Sequence, residues 1–141
     1  ILHDSEGTKK VVFAVIGDMT LLPVFEAASQ LESGGMGVRI VSVINPRRLY
    51  RPSDVMSESC TDADNHFLDD AGFERLFGGD ALIGVTGGTS GMLEPIMLRS
   101  TAKRDVFAWK RGETTASAGE IMAFNGLTAT ALGKRATELV A

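Results

Sequence analysis

Val11-Val12-Phe13-Ala14-Val15-Ile16-Gly17-Asp18 is an unbroken apolar run, largely β-branched, that stops at a glycine and an acid. A strand covered on both faces reads this way, because neither face needs the polar alternation of a half-exposed strand. The run therefore predicts the first and central strand of a sheet. After it, Asp18 or Thr20 is placed to cap a helix in which Pro23 is tolerated in the first turn and Leu21, Phe25, Ala28 and Leu31 share one face. Gly34-Gly35 ends that helix, and Val38 to Ile44 reads as the second strand. Strand, helix, strand implies a right-handed parallel crossover.

Working outward, Asn45 to Asp64 carries two prolines, several serines and acids and no sustained period, which predicts a surface excursion. Phe67, Ala71, Leu76 and Phe77 suggest a short helix ending at Gly78-Gly79, although Gly72 weakens it. Ala81-Leu82-Ile83-Gly84-Val85 is a third buried strand. Met92, Leu93, Ile96 and Met97 mark the buried face of another helix, and Arg104 to Trp109 a fourth strand. Ser117 and Glu120 stand at capping-box spacing, Asn125-Gly126 interrupts the last helical region, and Thr128 restarts it toward Leu139. The alternation predicts a three-layer α/β domain with a mainly parallel sheet over residues 11 to 141, preceded by a linker or frayed N-terminus over residues 1 to 10.

The chain has 141 residues, about one domain, enough to bury roughly two-thirds of its unfolded surface without a disulfide or metal. A formal charge of -4 with both signs interspersed gives no basic stripe, so nucleic acid is not an expected partner. Val11 to Ile16 is far short of the ~20 apolar residues a spanning helix needs, and no secretory signal is visible, so no membrane partner is expected. Cys60 has no second cysteine to pair with, which fits a cytoplasmic protein and reads as a spectator thiol.

Few residues here carry chemistry by themselves. Thr86-Gly87-Gly88-Thr89-Ser90-Gly91 follows a strand and precedes a helix, so its amides and hydroxyls make it the best local candidate for binding an anion. It lacks the lysine of a P-loop and the spacing of a dinucleotide fingerprint, and glycines there also serve tight packing. Ser90 sits one residue short of a nucleophile elbow and is better read as a cap. Asp18 lies at the carboxyl edge of the sheet, where open α/β folds bind ligands, and is also a natural cap. His3 falls in a polar terminal stretch, and His66 stands near Asp62, Asp64 and Asp69 without the geometry of a metal site, so no catalytic, cofactor-binding or metal residue is assigned. Arg47, Arg48 and Arg51 form a small basic cluster, either a solvated loop or a contact for an acidic partner.

The closing stretch is the more telling one. Trp109-Lys110-Arg111-Gly112-Glu113-Thr114-Thr115-Ala116-Ser117, with Glu120-Ile121-Met122, Asn125, Leu127 and Leu132, resembles the end of phosphoketolases, where an aromatic-Lys-x-x-Gly turn leads into a Thr-rich helix start and an Asn-x-Leu break. Two further blocks agree. Val11 to Asp18 with Glu26-Ala27-Ala28 and Val38 to Val43 is similar to the family's strand, Gly-Asp turn, helix and strand. Phe73 to Asp80 is similar to its short helix ending before a buried strand. Together they cover most of residues 10 to 133. Where the family has His-Gly-Tyr-Pro-Trp after the third strand, this chain has Thr86-Gly87-Gly88-Thr89-Ser90, so no contact of that His, Tyr or Trp carries over.

The resemblance implies a transketolase C-terminal-like fold and a parent enzyme that uses thiamine diphosphate and magnesium to cleave xylulose 5-phosphate or fructose 6-phosphate with phosphate, giving acetyl phosphate. The cofactor would be held by the preceding domains across a homodimer, and this domain would be a non-catalytic assembly or regulatory module that holds no cofactor. Gly112, Thr114, Thr115 and Asn125 would then lie at a domain or subunit interface. Two alternatives stand beside it: the equivalent domain of a transketolase or a 2-oxo-acid dehydrogenase component, and a stand-alone α/β module binding a small phosphorylated ligand at Thr86 to Ser90.

Overall fold

A computed structural model describes residues 1–51, 67–110 and 115–141. Five strands, β1 (His3–Asp4), β2 (Lys10–Ile16), β3 (Gly37–Ser42), β4 (Ala81–Thr86) and β5 (Lys103–Phe107), form one sheet in the order β1-β3-β2-β4-β5. Every neighbouring pair is parallel except β1 with β3. The helices are α1 (Leu21–Ser33), α2 (Asp70–Phe77), α3 (Glu94–Arg99), α4 (Ala118–Phe124) and α5 (Ala129–Val140), with 3-10 turns at Pro46–Leu49 and Ser90–Met92.

β2 is central, as its composition predicts, and its side chains divide the core in two. Val11, Phe13 and Val15 point into a cluster with Val24, Ala28 and Leu31 of α1 and Leu132, Ala136 and Leu139 of α5. Val12 and Ala14 point the other way, toward Phe73 and Phe77 of α2 and Leu93, Ile96 and Met97 around α3. All five of these β2 residues are fully buried. Each large one contributes about 1.5–3 kcal/mol relative to an exposed position. Helices on both faces of a mainly parallel sheet make the three-layer α/β fold.

Several local expectations need correcting. Neither Asp18 nor Thr20 caps α1 with its side chain; Thr20 is the N-cap residue, but its hydroxyl donates to the Gly17 carbonyl. The buried face of α1 is Val24, Ala27, Ala28 and Leu31, while Phe25 is 41% exposed. The α1 residues Val24, Ala27, Ala28 and Leu31 share one cluster with Leu132, Ala136 and Leu139 of α5, and Phe25 lies beside that face. Gly72 supports α2 rather than weakening it: a Cβ there would lie 2.6 Å from Leu68 Cδ1 and 2.8 Å from the Asp69 carboxylate that caps the helix. The second strand stops at Ser42, leaving Ile44 94% exposed, and the fourth stops at Phe107.

Residues 1 to 10 do not simply fray. β1 pairs with Arg39 and Ile40, Leu2 and Ser5 donate backbone bonds to Ile40 and Val38, and Asp4 accepts from Arg39 and Lys10. Nearby, Gly7 crosses Gly37 so closely that a Cβ on Gly7 would fall 2.0 Å from the Gly37 nitrogen. The remaining expectations at the chain's end hold. Ser117 and Glu120 form the capping box, Gly126 takes a φ of 72° at the break, and the Thr128 side chain accepts from Ala131 to start α5.

Candidate functional site

The parallel register places Ile16 beside Thr86, so the segments leaving β2 and β4 run side by side at the carboxyl edge of the sheet. From β2 the chain goes through α1 to β3 on one side, then returns across β2 to reach β4 on the other. A crevice opens where such connections diverge, and ligands of open α/β folds bind there. Here it holds two adjoining cavities. One, of about 230 Å³, is lined by Ile16, Gly17, Asp18, Met19, Thr86, Gly87, Gly88 and Met92. The other, of about 260 Å³, shares Met19, Gly87 and Gly88 and adds Thr89 and Trp109.

Inside this crevice the glycine-rich turn is less free than its sequence suggests. The Gly88 amide donates to the Thr86 hydroxyl at 3.0 Å, and the Gly88 carbonyl accepts from the Trp109 amide at 2.9 Å. Ser90 donates its hydroxyl to Glu94 at 2.6 Å, so it is engaged with a carboxylate at the start of the next helix. One amide and one hydroxyl offered to an anion are thus spent, and a negative charge stands beside them. Gly87 and Gly91 remain open, with nothing within 4 Å of an added Cβ. Asp18 is exposed, and among the described residues nothing pairs with its carboxylate.

Sequence reasoning found Asp18 and the Thr86 turn separately; the β2–β4 register joins them. It missed Met19, Met92 and Trp109 as lining residues, which are 63%, 40% and 38% exposed. Large apolar residues in the segments that follow β2, β4 and β5 were the available signal. Tyr50 fixes the rim by donating to the Met92 carbonyl at 2.9 Å, and burial pushes its phenol up, so the hydroxyl stays a donor.

Of the expected interface residues, Gly112 and Thr114 lie outside the described residues, as do Cys60 and His66 with Asp62 and Asp64. Thr115 is exposed between elements. Asn125 is 1% exposed: its carbonyl accepts the Lys110 amide and its NH2 donates to the Ile121 carbonyl at 2.8 Å. That side chain ties the end of the β5 segment to α4 and has no surface left for a neighbouring domain. His3 bonds Glu32 at 2.5 Å, and Glu32 also accepts from Ser5; the Ser5 and His3 bonds hold its carboxyl below the ordinary range. Arg47, Arg48 and Arg51 are exposed, and Arg51 acts electrostatically on Asp70.

A third cavity, about 440 Å³, lies beside the end of β3 between Val43, Leu49, Leu68 and Phe77. Above it Arg99, its side chain 2% exposed, donates to the Leu49 carbonyl at 2.7 Å, the Leu68 carbonyl at 3.0 Å and Asp70 at 2.7 Å. Its guanidinium stacks 4.5 Å from the Phe73 ring centre. Among the described residues no helix is long and apolar enough to cross a membrane.

Among solved structures, the chain is similar to transketolase from Campylobacter jejuni, with a TM-score of 0.64 and 20% identity over 97% of this chain and 18% of that one. It is also similar to a split gene transketolase in an inactive β4 tetramer, with a TM-score of 0.59 and 18% identity over 98% of this chain and 42% of that one. No protein-family model matches the sequence, and no curated protein does either. At these identities the likeness establishes the fold, which is of the transketolase C-terminal type. The chain spans less than half the length of either of these transketolase chains.

Proposed function

We propose that the chain serves as a non-catalytic assembly module of the transketolase C-terminal type within a larger thiamine-diphosphate enzyme. The observation that carries this reading is one of proportion: almost all of this chain superposes on a minor part of transketolase chains. The partners are then the other domains of the same enzyme, in a homodimer located in the cytoplasm.

In this reading the cofactor is held by the other domains of the parent. Among the described residues no three side chains of metal-ligating type converge, and Asp18 stands alone at the sheet edge, whereas a magnesium-bound diphosphate needs several oxygen ligands together. No step of a reaction is therefore assigned to these residues. Their contribution is to hold a rigid sheet against neighbours.

The finer reading, a phosphoketolase, is supported by the closing block from Trp109 to Leu132, while the structural likeness supports a transketolase-type parent. Product analysis separates them, because acetyl phosphate forms from xylulose 5-phosphate and phosphate only in a phosphoketolase. The primary test is the native mass. An antibody raised to this chain should detect a polypeptide or complex several-fold heavier than 15.0 kDa in a lysate of its source. A native species of 15.0 kDa with no associated subunit sinks the assembly reading.

A further inference from the structure

The crevice at the β2–β4 divergence has a chemistry of its own, independent of the assembly reading. Its two adjoining cavities are lined, among the described residues, by glycine backbone, two threonines, Ile16, the thioethers of Met19 and Met92, the indole of Trp109 and one charged group, Asp18. That carboxylate has no partner among the described residues. An ionised carboxylate accepts hydrogen bonds and offers none, so this exposed one at the mouth of the crevice favours a cation or an N–H donor over an anion.

The apolar wall narrows the choice further. An indole attracts cations to its face, and thioethers are polarizable groups that adapt to flat ligands. Gly87 contributes no side chain, and a Cβ built there would meet nothing within 4 Å, so a flat group can approach the backbone. A phosphate meets the reverse conditions: the Gly88 amide is already bonded to Thr86, Ser90 is bonded to Glu94, and Asp18 repels it.

We infer that this crevice is a small-molecule site for a planar aromatic cation, with Asp18 holding the charge and Met19, Met92 and Trp109 holding the ring. This replaces the anion expected from the glycine-rich turn alone. Pockets of a few hundred Å³ that combine an apolar wall with a few placed polar groups are the usual form of such sites.

Trp109 is the only tryptophan in the chain and lines this crevice, so its fluorescence reports on it. The 141-residue chain is titrated with benzamidine, with benzamide as the uncharged counterpart, and with inorganic phosphate. Saturable quenching by benzamidine, with benzamide roughly five- to tenfold weaker, is the expected result for one charge-assisted contact. Asp18→Asn should weaken benzamidine by a similar factor while leaving the thermal midpoint unchanged, since the Asp18 side chain supports no fold contact. Calorimetry on both proteins repeats the measurement without relying on fluorescence. Saturable phosphate binding with none for benzamidine overturns the inference in favour of an anion site. Equal affinity of benzamidine for the wild type and Asp18→Asn, or no saturable response to either cation or phosphate, overturns it as well.

Discussion

Replacing Arg99 by methionine isolates the most consequential polar contacts in the core. Methionine keeps an unbranched apolar stem in a position whose side chain is 2% exposed, so little packing is lost. What disappears is the donor set: the carbonyls of Leu49 and Leu68 lose hydrogen bonds of 2.7 and 3.0 Å from a guanidinium that is 2% exposed. Each acceptor left unsatisfied costs about 1–3 kcal/mol, and the cation–π contact adds about 0.5–2 kcal/mol, while relief from burying a charge offsets part of the sum. The net expectation is a loss of about 2–4 kcal/mol, a large share of the roughly 5–15 kcal/mol that holds a domain folded. With a urea slope of about 2 kcal/mol per molar, the unfolding midpoint followed by circular dichroism should fall by about 1–2 M. Asp70→Asn serves as the control. Asp70 is 82% exposed, so losing its ion pair to Arg99 should move the midpoint far less. A shift below about 0.3 M for Arg99→Met, or an equal shift for Asp70→Asn, would refute the assignment of the effect to the two carbonyls.

Stability should also decline in acid in a defined way. Arg39 holds the Asp4 carboxyl below its ordinary 3.8, and Ser5 and His3 hold Glu32 below its ordinary 4.5. A depressed carboxylate contributes stability that is complete above its unfolded value and lost as pH falls through the folded one. Thermal midpoints should therefore be flat in these groups down to about pH 4.5 and fall below it, and the combined Asp4→Asn, Glu32→Gln variant should show a shallower acid limb. Ser117→Ala removes the capping box from α4, a seven-residue helix with no buried residue. About 1 kcal/mol of local stability should go, read as faster amide exchange over Ala118–Phe124 with little change in the global midpoint. Gly7→Ala sets a Cβ against the Gly37 backbone, so exchange should accelerate at Leu2 and Ser5 while β2 and β4 stay protected. Uniform loss of protection would contradict that picture.

Much of this fold was legible because its central strands are covered twice. β2 and β4 show no polar alternation, and nothing but two-sided burial explains such runs between glycines. β1 was illegible for the opposite reason: His3 and Asp4 are polar, and what holds them is backbone pairing and an ion pair to Arg39, 35 residues away. The face of α1 was read slightly rotated because periodicity counts apolar residues equally, and it passed over Val24 and Ala27, which are buried, in favour of Phe25, which is not. Arg99 gave no local signal at all, since its two carbonyl partners lie 50 and 31 residues away. At the candidate site, the glycine-rich turn was visible but its internal bond was not weighed. A threonine two residues before a glycine can close a local turn with its hydroxyl, and here it does.

β1 has a consequence for how the molecule can meet copies of itself. By lying against Arg39 and Ile40 it occupies the middle of the outer edge of β3, where an added strand would have to form its ladder. Among the described residues the sheet therefore ends in a two-residue strand on this side and in the five-residue β5 on the other, so the longer edge for strand addition is that of β5. A two-fold pair joined edge to edge at β5 would close and stop, whereas a repeating head-to-tail stack would also need the short edge of β1. Lys103, Arg104 and Asp105 mark the remaining edge with charge, the usual guard against unplanned pairing. A two-residue strand thus leaves little ladder on its own side for another copy to extend.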